Sequence, residues 1–511
     1  MKSERKIGAG LLYLSTILNS LVSIFITPFI LVALGDVEYG IYRSVSALTG
    51  QLAVVSIGAG TMVTIMVAKY NARQDENAKK ERENFLAMAI TVSVLIPLLV
   101  LIIGGILYIG IDGLYANTLN EAQISLTKRL YVLLVLNVAL HLMRDVFTGI
   151  INGYEKFAYS GLLKVFRIVF RVILILILLN LGFKSIGLVV CDLIVSIMLI
   201  LLDLVFCFGK LKVKARFYYF DKILFKTMFT FSAAILLQTI VNQVNQNLDS
   251  VILGAMIVPE RVTVYSLALT IYVAYNGVGS AISSLFTPEA ARLVQKEESQ
   301  QVIQSFTVKV GRIQLLVNAL ILGGFICIGR DFVSIWAGSG KEDVYLISLI
   351  LLIPACFANT LCGSNSLLDG YMKRMGRSVI LVIMAVYNVV SSIIMIHFID
   401  YWGAALVTAT SVIVGQICLM CWYYKKIFNF DIKGYFRDVL KGIFPAFLLA
   451  ATVGFATNLI PCPVVLVRLL LGGIVFCLVY GIVLIRWGLC AEEKEIVLRG
   501  FRKVAGRRRK K

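Results

Sequence analysis

Apolar residues run along this chain in long blocks, broken by short polar stretches rich in Lys and Arg. A helix that crosses a bilayer needs about twenty mainly apolar residues. The pattern predicts such helices near 8–34, 38–68, 85–111, 129–152, 159–182, 185–208, 227–257, 262–290, 306–334, 344–370, 378–399, 402–424, 438–459 and 464–487. Several exceed the minimum length, so tilted or kinked spans are expected. The expected fold class is an all-α membrane protein of about 14 transmembrane helices.

Composition agrees. Of 511 residues, 59% are hydrophobic and 15% charged, against about 25% charged in soluble domains. A soluble fold could not bury that much apolar surface, whereas lipid can solvate it. Eight prolines and short polar links leave no room for a folded soluble module. The first block is long enough to span and lacks a small-residue cleavage motif, so no cleavable signal is expected. The ten cysteines lie mostly inside apolar blocks. Cys418 and Cys421 form a C-x-x-C within a predicted span, with no second Cys/His pair to complete a zinc site. They read as packing residues, and no metal or cofactor is expected.

The net charge of +20 would suggest nucleic acid in a soluble protein. Here the distribution argues for membrane orientation instead. Alternate loops, both termini included, hold 35 of the 49 basic residues: Lys2, Arg5 and Lys6; Lys69 to Arg82; Lys156; Lys210 to Lys226; Arg292 and Lys296; Lys373 to Arg377; Lys425 to Lys441; and the tail from Arg486. The intervening loops hold six: Lys128, Arg129, Lys184, Arg261, Arg330 and Lys341. By the positive-inside rule both termini are cytoplasmic and the span number is even. The polybasic run Arg507 to Lys511 reads as a topology anchor next to anionic headgroups. No nucleic-acid partner is expected.

A weak internal repeat organises the blocks. Gly153-Tyr154-Glu155-Lys156 follows span 4 and Gly370-Tyr371-Met372-Lys373 follows span 10, an offset of 217. Gly187 and Gly403 open spans 6 and 12, an offset of 216. Tyr42 precedes Lys69 by the same separation as Tyr265 precedes Arg292. Six spans lie between equivalents, so the repeat is parallel, about an axis along the membrane normal. The expected organisation is a six-helix lobe over 1–208, a second over 209–428, two additional helices over 429–487 and a basic cytoplasmic tail over 488–511. Two such lobes suggest alternating access around a central cavity.

Ionisable residues inside spans usually mark function or pair with one another. Lys164, Arg167 and Arg171 fall at i, i+3 and i+7 of span 5, on one helical face. Arg144 is in span 4 and Arg43 in span 2. Arginine's planar fork of donors suits phosphate, so Arg43, Arg144, Arg167 and Arg171 suggest an anionic headgroup such as a pyrophosphate. The competing reading is internal salt bridges with Asp145, Asp192 and Asp203. Span 7 carries Gln238, Asn242, Asn245 and Asp249 as one polar stripe, suited to sugar hydroxyls or to helix–helix contact. Span 8 adds Tyr272, Tyr275, Asn276, Ser280 and Ser283. Arg43 and Asp249 are expected to meet when the cavity closes outward. His141, Glu289, Asp369, His397 and Arg468 read as helix-end or packing residues. There is no P-loop, so the chain is expected to be a secondary transporter and not an enzyme.

The stretch Leu34-Gly35-Asp36-Val37-Glu38-Tyr39-Gly40-Ile41-Tyr42, with Gly58-Ala59-Gly60, resembles the start of the polysaccharide biosynthesis proteins. These are O-antigen or lipid-linked-oligosaccharide flippases of the multidrug/oligosaccharidyl-lipid/polysaccharide exporter superfamily. The resemblance continues through Asn152-Gly153-Tyr154-Glu155-Lys156-Phe157, through Asp249 before Ile252-Leu253-Gly254, and through Tyr265-Ser266-Leu267-Ala268. It ends near Tyr401-Trp402-Gly403-Ala404-Ala405 and covers about 8–428. It implies a V-shaped, two-lobe transporter of the bacterial cytoplasmic membrane. Such a protein would flip a polyprenyl-pyrophosphate-linked glycan to the outer leaflet for cell-surface polysaccharide synthesis. Arg43 falls in the span where related lipid II flippases carry a cavity arginine. Implied partners are the lipid-linked glycan, membrane lipids, and a polysaccharide polymerase or glycosyltransferases. Alternatives are a lipid II-type or spore-envelope flippase, a multidrug/cation antiporter of the same superfamily, and a non-transport scaffold.

Overall fold

The computed structural model describes residues 2–56, 59–73, 76–219, 243, 248–371, 373–459, 464–490 and 493–494. Among these residues the chain is helical and contains no strand. Ten helices among the described residues are long and apolar enough to cross a membrane. The count is eleven with Ile432–Leu440 and Ile443–Ala456, bent by 46°, taken as one span. Two further features bring this close to the predicted number. The 63-residue stretch Gly10–Ala72 holds two predicted spans, and Phe157–Asn180 is helical throughout but carries three cations. Most of the predicted span at 227–257 lies outside the described residues.

The helices used below are α1 (Lys2–Gly50), α2 (Ala59–Ala72), α3 (Glu76–Ile109), α4 (Glu121–Gly153), α5 (Phe157–Asn180), α6 (Lys184–Val205), α7 (Pro259–Gln295), α8 (Gln300–Trp336), α9 (Glu342–Thr360), α10 (Cys362–Gly370), α11 (Arg374–Ile399), α12 (Tyr401–Ser411), α13 (Met420–Phe428), α14 (Ile432–Leu440), α15 (Ile443–Ala456) and α16 (Val465–Val483). Their ends have visible causes. Asn120 accepts from the Gln123 N–H while the Gln123 side chain accepts from the Asn120 N–H, a capping box that starts α4. Asp431 caps α14 by accepting from the Gly434 N–H at 3.1 Å.

Two boundaries differ from the sequence expectation. The first two predicted spans are not separated by a loop. They join within α1 at Gly35, whose φ of 73° a side chain would strain. The second predicted span is broken instead: α1 ends at Gly50, a 3₁₀ turn covers Gln51–Ser56, and α2 starts at Ala59. The break brings α2 into backbone contact with α4. A Cβ on Gly149 would stand 2.4 Å from the Gly60 carbonyl oxygen, and one on Gly60 would stand 2.6 Å from that of Asp145. Close approach of small residues is how helices pack when the surrounding lipid is as apolar as their side chains. Thr64 adds a hydroxyl bond to the Gly149 carbonyl at 3.1 Å.

The chain divides into two compact units, Met1–Thr270 with Leu381–Val407, and Ile271–Ile380 with Thr408–Lys511. The units group residues by packing, whereas the predicted lobes group them by repeat. In the first unit one apolar cluster gathers Val67, Phe85, Leu86, Ile150 and Ile151. A second gathers Val45, Tyr115, Leu130, Tyr131 and Val189. Residues 216–219 lie against α3, with the Arg216 N–H donating to the Glu83 carbonyl at 3.2 Å. Asn84 accepts from the Tyr218 and Tyr219 N–H groups and donates to the Tyr219 carbonyl, acting as a local strand partner.

In the second unit the last two helices are sewn to α8. Tyr480 donates to the Leu316 carbonyl at 3.0 Å, and Asn458 to that of Cys327 at 3.0 Å. Arg468 pairs with Asp331, consistent with its reading as a packing residue. Buried Arg312 donates to the Asp438, Lys441 and Gly488 carbonyls and with two bonds to Glu493. One guanidinium thus fixes α14, the elbow after it, the end of the last span and the root of the basic tail.

Candidate functional site

The charged residues predicted from the sequence gather in the first unit. α5 presents Arg167 and Arg171, α4 Arg144, and α1 Arg43. Their surroundings separate them into two kinds. Arg144 is buried and its Nε donates to Asp203 Oδ2 at 2.9 Å, with side-chain exposures of 10% and 2%. Thr148 approaches the same oxygen at 3.4 Å. Arg171 makes a two-pronged contact to Asp192, Nε to Oδ1 at 2.5 Å and Nη2 to Oδ2 at 3.1 Å. Both pairs are the salt-bridge reading that the sequence left open.

Arg43 and Arg167 are different. Both are half-buried, and among the described residues neither is reached by a hydrogen bond or an ion pair. Arg167 lies within electrostatic range of Asp145 and Asp192 without bonding either. Asp145 instead stands 3.9 Å from His141 Nδ1, one helical turn away. A charge inside a bilayer span costs about 2.5–3.5 kcal/mol on insertion scales, so an unsatisfied one needs a wet surrounding or an incoming partner.

Arg43 sits beside a close seam. A Cβ on Gly40 would meet the Pro259 carbonyl, and one on Gly254 would meet Ser44. Thr263 donates to the Asp36 carbonyl at 2.6 Å, and Ser44 and Tyr115 share a hydroxyl bond of 2.8 Å. Asp249 is buried near this seam. It accepts from the Tyr265 hydroxyl at 2.8 Å and from Ser392 at 3.3 Å. The Arg43–Asp249 pair expected on outward closure is not among the ion pairs of the described residues, and these hydroxyls donate to the carboxylate.

Gln238, Asn242 and Asn245 lie outside the described residues. Tyr272 and Asn276 are half-buried on α7 in the second unit. Asn276 accepts from Asn359 at 3.2 Å, and its neighbour Tyr275 is buried and donates to the Asn318 carbonyl. The sequence reading missed Tyr265 and Ser392 as partners of Asp249. It also missed buried Gln314, which donates to the Gly279 carbonyl at 2.7 Å. An uncharged polar residue within a span was the only signal available for Ser392 and Gln314.

A family described as polysaccharide biosynthesis protein matches residues 7–288. No curated protein matches the chain. Among solved structures, the fold is similar to the lipid II flippase MurJ in an inward closed conformation. The TM-score is 0.70 at 16% identity, covering 93% of this chain and 98% of that one. It is also similar to an inward-facing multidrug resistance MATE family transporter of the MOP superfamily, with a TM-score of 0.63, 13% identity, and coverage of 81% and 96%. A Vibrio cholerae MATE transporter, VcmN, gives 0.56 at 14% identity, with coverage of 85% and 100%. At such identities these likenesses describe the fold.

Proposed function

Since this chain belongs to the polysaccharide biosynthesis protein family, we propose that it is a flippase for a polyprenyl-pyrophosphate-linked oligosaccharide. It carries its substrate from the cytoplasmic to the outer leaflet of the bacterial cell membrane by alternating access between lobes 1–208 and 209–428. The observation that carries this reading is the pair of half-buried arginines within membrane helices, Arg43 and Arg167, that make no hydrogen bond or ion pair among the described residues. Two guanidinium forks suit the two phosphates of a diphosphate. Arg144 and Arg171, neutralised by Asp203 and Asp192, brace the helices that carry the site and turn remaining guanidinium donors to the headgroup. The amide groups of Gln238, Asn242, Asn245 and Asn276, the carboxylate of Asp249 and the hydroxyl of Tyr272 are assigned to the glycan. The polyprenyl tail stays in lipid. Energy comes from an ion gradient, the membrane potential or removal of product on the far side.

A cation antiporter would need acids, not free arginines, facing its substrate. The test is a leaflet-specific assay of lipid-linked sugars in cells carrying Arg43→Ala or Arg167→Ala at normal expression. The proposal expects sugar to accumulate in the inner leaflet. Intact translocation in both variants would remove this binding site, and loss of cation efflux with intact sugar translocation would favour the antiporter.

A further inference from the structure

At the ends of α3, α4 and α6, where these spans leave the bilayer, the first unit holds an open cavity of about 850 Å³. Its polar wall is one face of α4. Glu121, Lys128, Arg129 and Val132 follow one another down that face, with Tyr108 and Asp112 opposite. Lys128 is occupied: it donates to Asp112 at 2.7 Å and lies 5.5 Å from the centre of the Tyr108 ring. That leaves one acid and one base. Glu121 and Arg129 are both exposed, and neither has a hydrogen bond or ion pair from its side chain among the described residues.

Their order matters more than their number. Glu121 starts α4, and Arg129 lies eight residues further in, about 12 Å along the axis at 1.5 Å per residue. Long side chains can close part of that gap. Below Arg129 the wall is apolar, beginning with exposed Val132. From the helix end inward the sequence is therefore carboxylate, guanidinium, hydrocarbon. A zwitterionic phospholipid presents the complement in the same order: ammonium outermost, phosphate beneath it, acyl chains beneath that. An anionic lipid would meet Glu121 with a like charge.

We propose that this cavity is a binding site for a phosphoethanolamine-headed lipid, with Arg129 on the phosphate, Glu121 on the ammonium and the chains along the apolar wall. The loop between predicted spans 3 and 4 recurs in the repeat between spans 9 and 10. A cavity of about 730 Å³ opens there in the second unit. In that cavity Arg330 is bound to Glu342 at 2.6 Å, Arg468 to Asp331, and Lys341 donates to the Ala337 carbonyl at 3.0 Å, so its cations are already engaged. One site is expected, not two. The proposal needs only the membrane fold and stands apart from the flippase reading.

The test is native mass spectrometry of the full chain released from detergent, with phosphatidylethanolamine and phosphatidylglycerol added in equal amounts. Wild type should retain one tightly held phosphatidylethanolamine, in preference to phosphatidylglycerol by about fivefold, as one exposed charge contact allows. Arg129→Gln should lose that adduct. Glu121→Gln should keep lipid binding but bring the two lipids to near parity. Arg330→Gln should leave the lipid adducts as in wild type, and so should Arg167→Ala whatever it does to translocation, which separates this result from the fate of the transport proposal. Both cavity residues are exposed and unbonded, so a matching thermal melt confirms that each variant folds. Equal retention of both lipids by wild type, or adducts unchanged in Arg129→Gln and Glu121→Gln, would show ordinary annular lipid and overturn the proposal.

Discussion

Arg167 and Arg171 stand about one turn apart on α5, yet they should respond oppositely to replacement by leucine. Arg171 holds Asp192 with two bonds, and the two side chains are 30% and 17% exposed. Removing one partner of a buried pair costs about 3–5 kcal/mol, because the other charge is left without compensation. The residual exposure of this pair puts Arg171→Leu at or below the low end, about 2–3 kcal/mol. Arg167 bonds no acid among the described residues. A lone charge at the middle of a span costs about 2.5–3.5 kcal/mol, and a half-buried one keeps part of its hydration. Arg167→Leu should therefore be stabilising by about 1–2 kcal/mol. The two variants should differ by about 3–5 kcal/mol, or roughly two to three and a half decades in the unfolding equilibrium. The assay is SDS-induced unfolding of the purified variants in one detergent, with lipid-linked sugar translocation followed in parallel. Adding Asp192→Leu to Arg171→Leu should recover part of the loss. Arg167→Leu should be at least as stable as wild type and inactive in translocation. If it unfolds as easily as Arg171→Leu, Arg167 is a structural cation and the reasoning fails. If it is stable and active, Arg167 does not bind substrate.

Other outcomes follow from local geometry. Gly149→Ala sets a Cβ 2.4 Å from the Gly60 carbonyl oxygen, a backbone atom that cannot swing away. The same unfolding assay should show a loss of about 1–3 kcal/mol, while Gly113→Ala, with open space around it, stays within about 0.5 kcal/mol. Asn84→Ala removes the side chain that pairs with the Tyr218 and Tyr219 backbone. Limited trypsin digestion at exposed Lys212 and Lys214 should accelerate several-fold, and an unchanged rate would mean that apolar contacts alone hold the segment. Burial alone would raise the Glu493 carboxyl, but bonds from Arg312 and the Cys490 N–H outweigh it and hold the group below its ordinary value of 4.5. The folded state thus binds the proton less readily than the unfolded one. The tail attachment is fully present above that ordinary range and is lost as pH falls through the lowered value. Proteolysis of the tail by an acid-active protease should rise at low pH in wild type, and Glu493→Gln should be cleaved readily at all pH values.

The spans were legible because lipid leaves little choice: each crossing must be helical and mainly apolar, and that requirement is written locally. The breaks were not. The turn at Gln51–Ser56 precedes a crossing of α2 on α4, and the glycine that permits the contact, Gly149, lies far along the sequence from Gly60. Nothing periodic in 38–68 announces it. The same holds for Gly35, where two apolar blocks met at a glycine that looked like a loop and proved to be a kink within one helix. The repeat left the last two helices outside both lobes, and nothing in the sequence marked Arg312 as the residue that holds them. Three of the groups it binds on that side are main-chain carbonyls, which no pattern of side chains reveals.

The candidate site shows the same limit in sharper form. Helical spacing places Lys164, Arg167 and Arg171 on one face of α5, since the 3.6-residue period is local. Which of them finds a counter-ion depends on the register between α5 and α6, and that register is set by packing. Asp192 is 21 residues from Arg171, and Asp203 is 59 from Arg144. A shift of one residue along α6 would carry Asp192 about 100° around its helix. Asp249 makes the point from the acidic side. Its partners Tyr265 and Ser392 are 16 and 143 residues away, and among the described residues the cation expected to meet it makes no hydrogen bond or ion pair. In a membrane interior the presence of a charge says only that something must satisfy it. Two arginines on adjacent turns become scaffold and candidate ligand according to whether the fold has already done so.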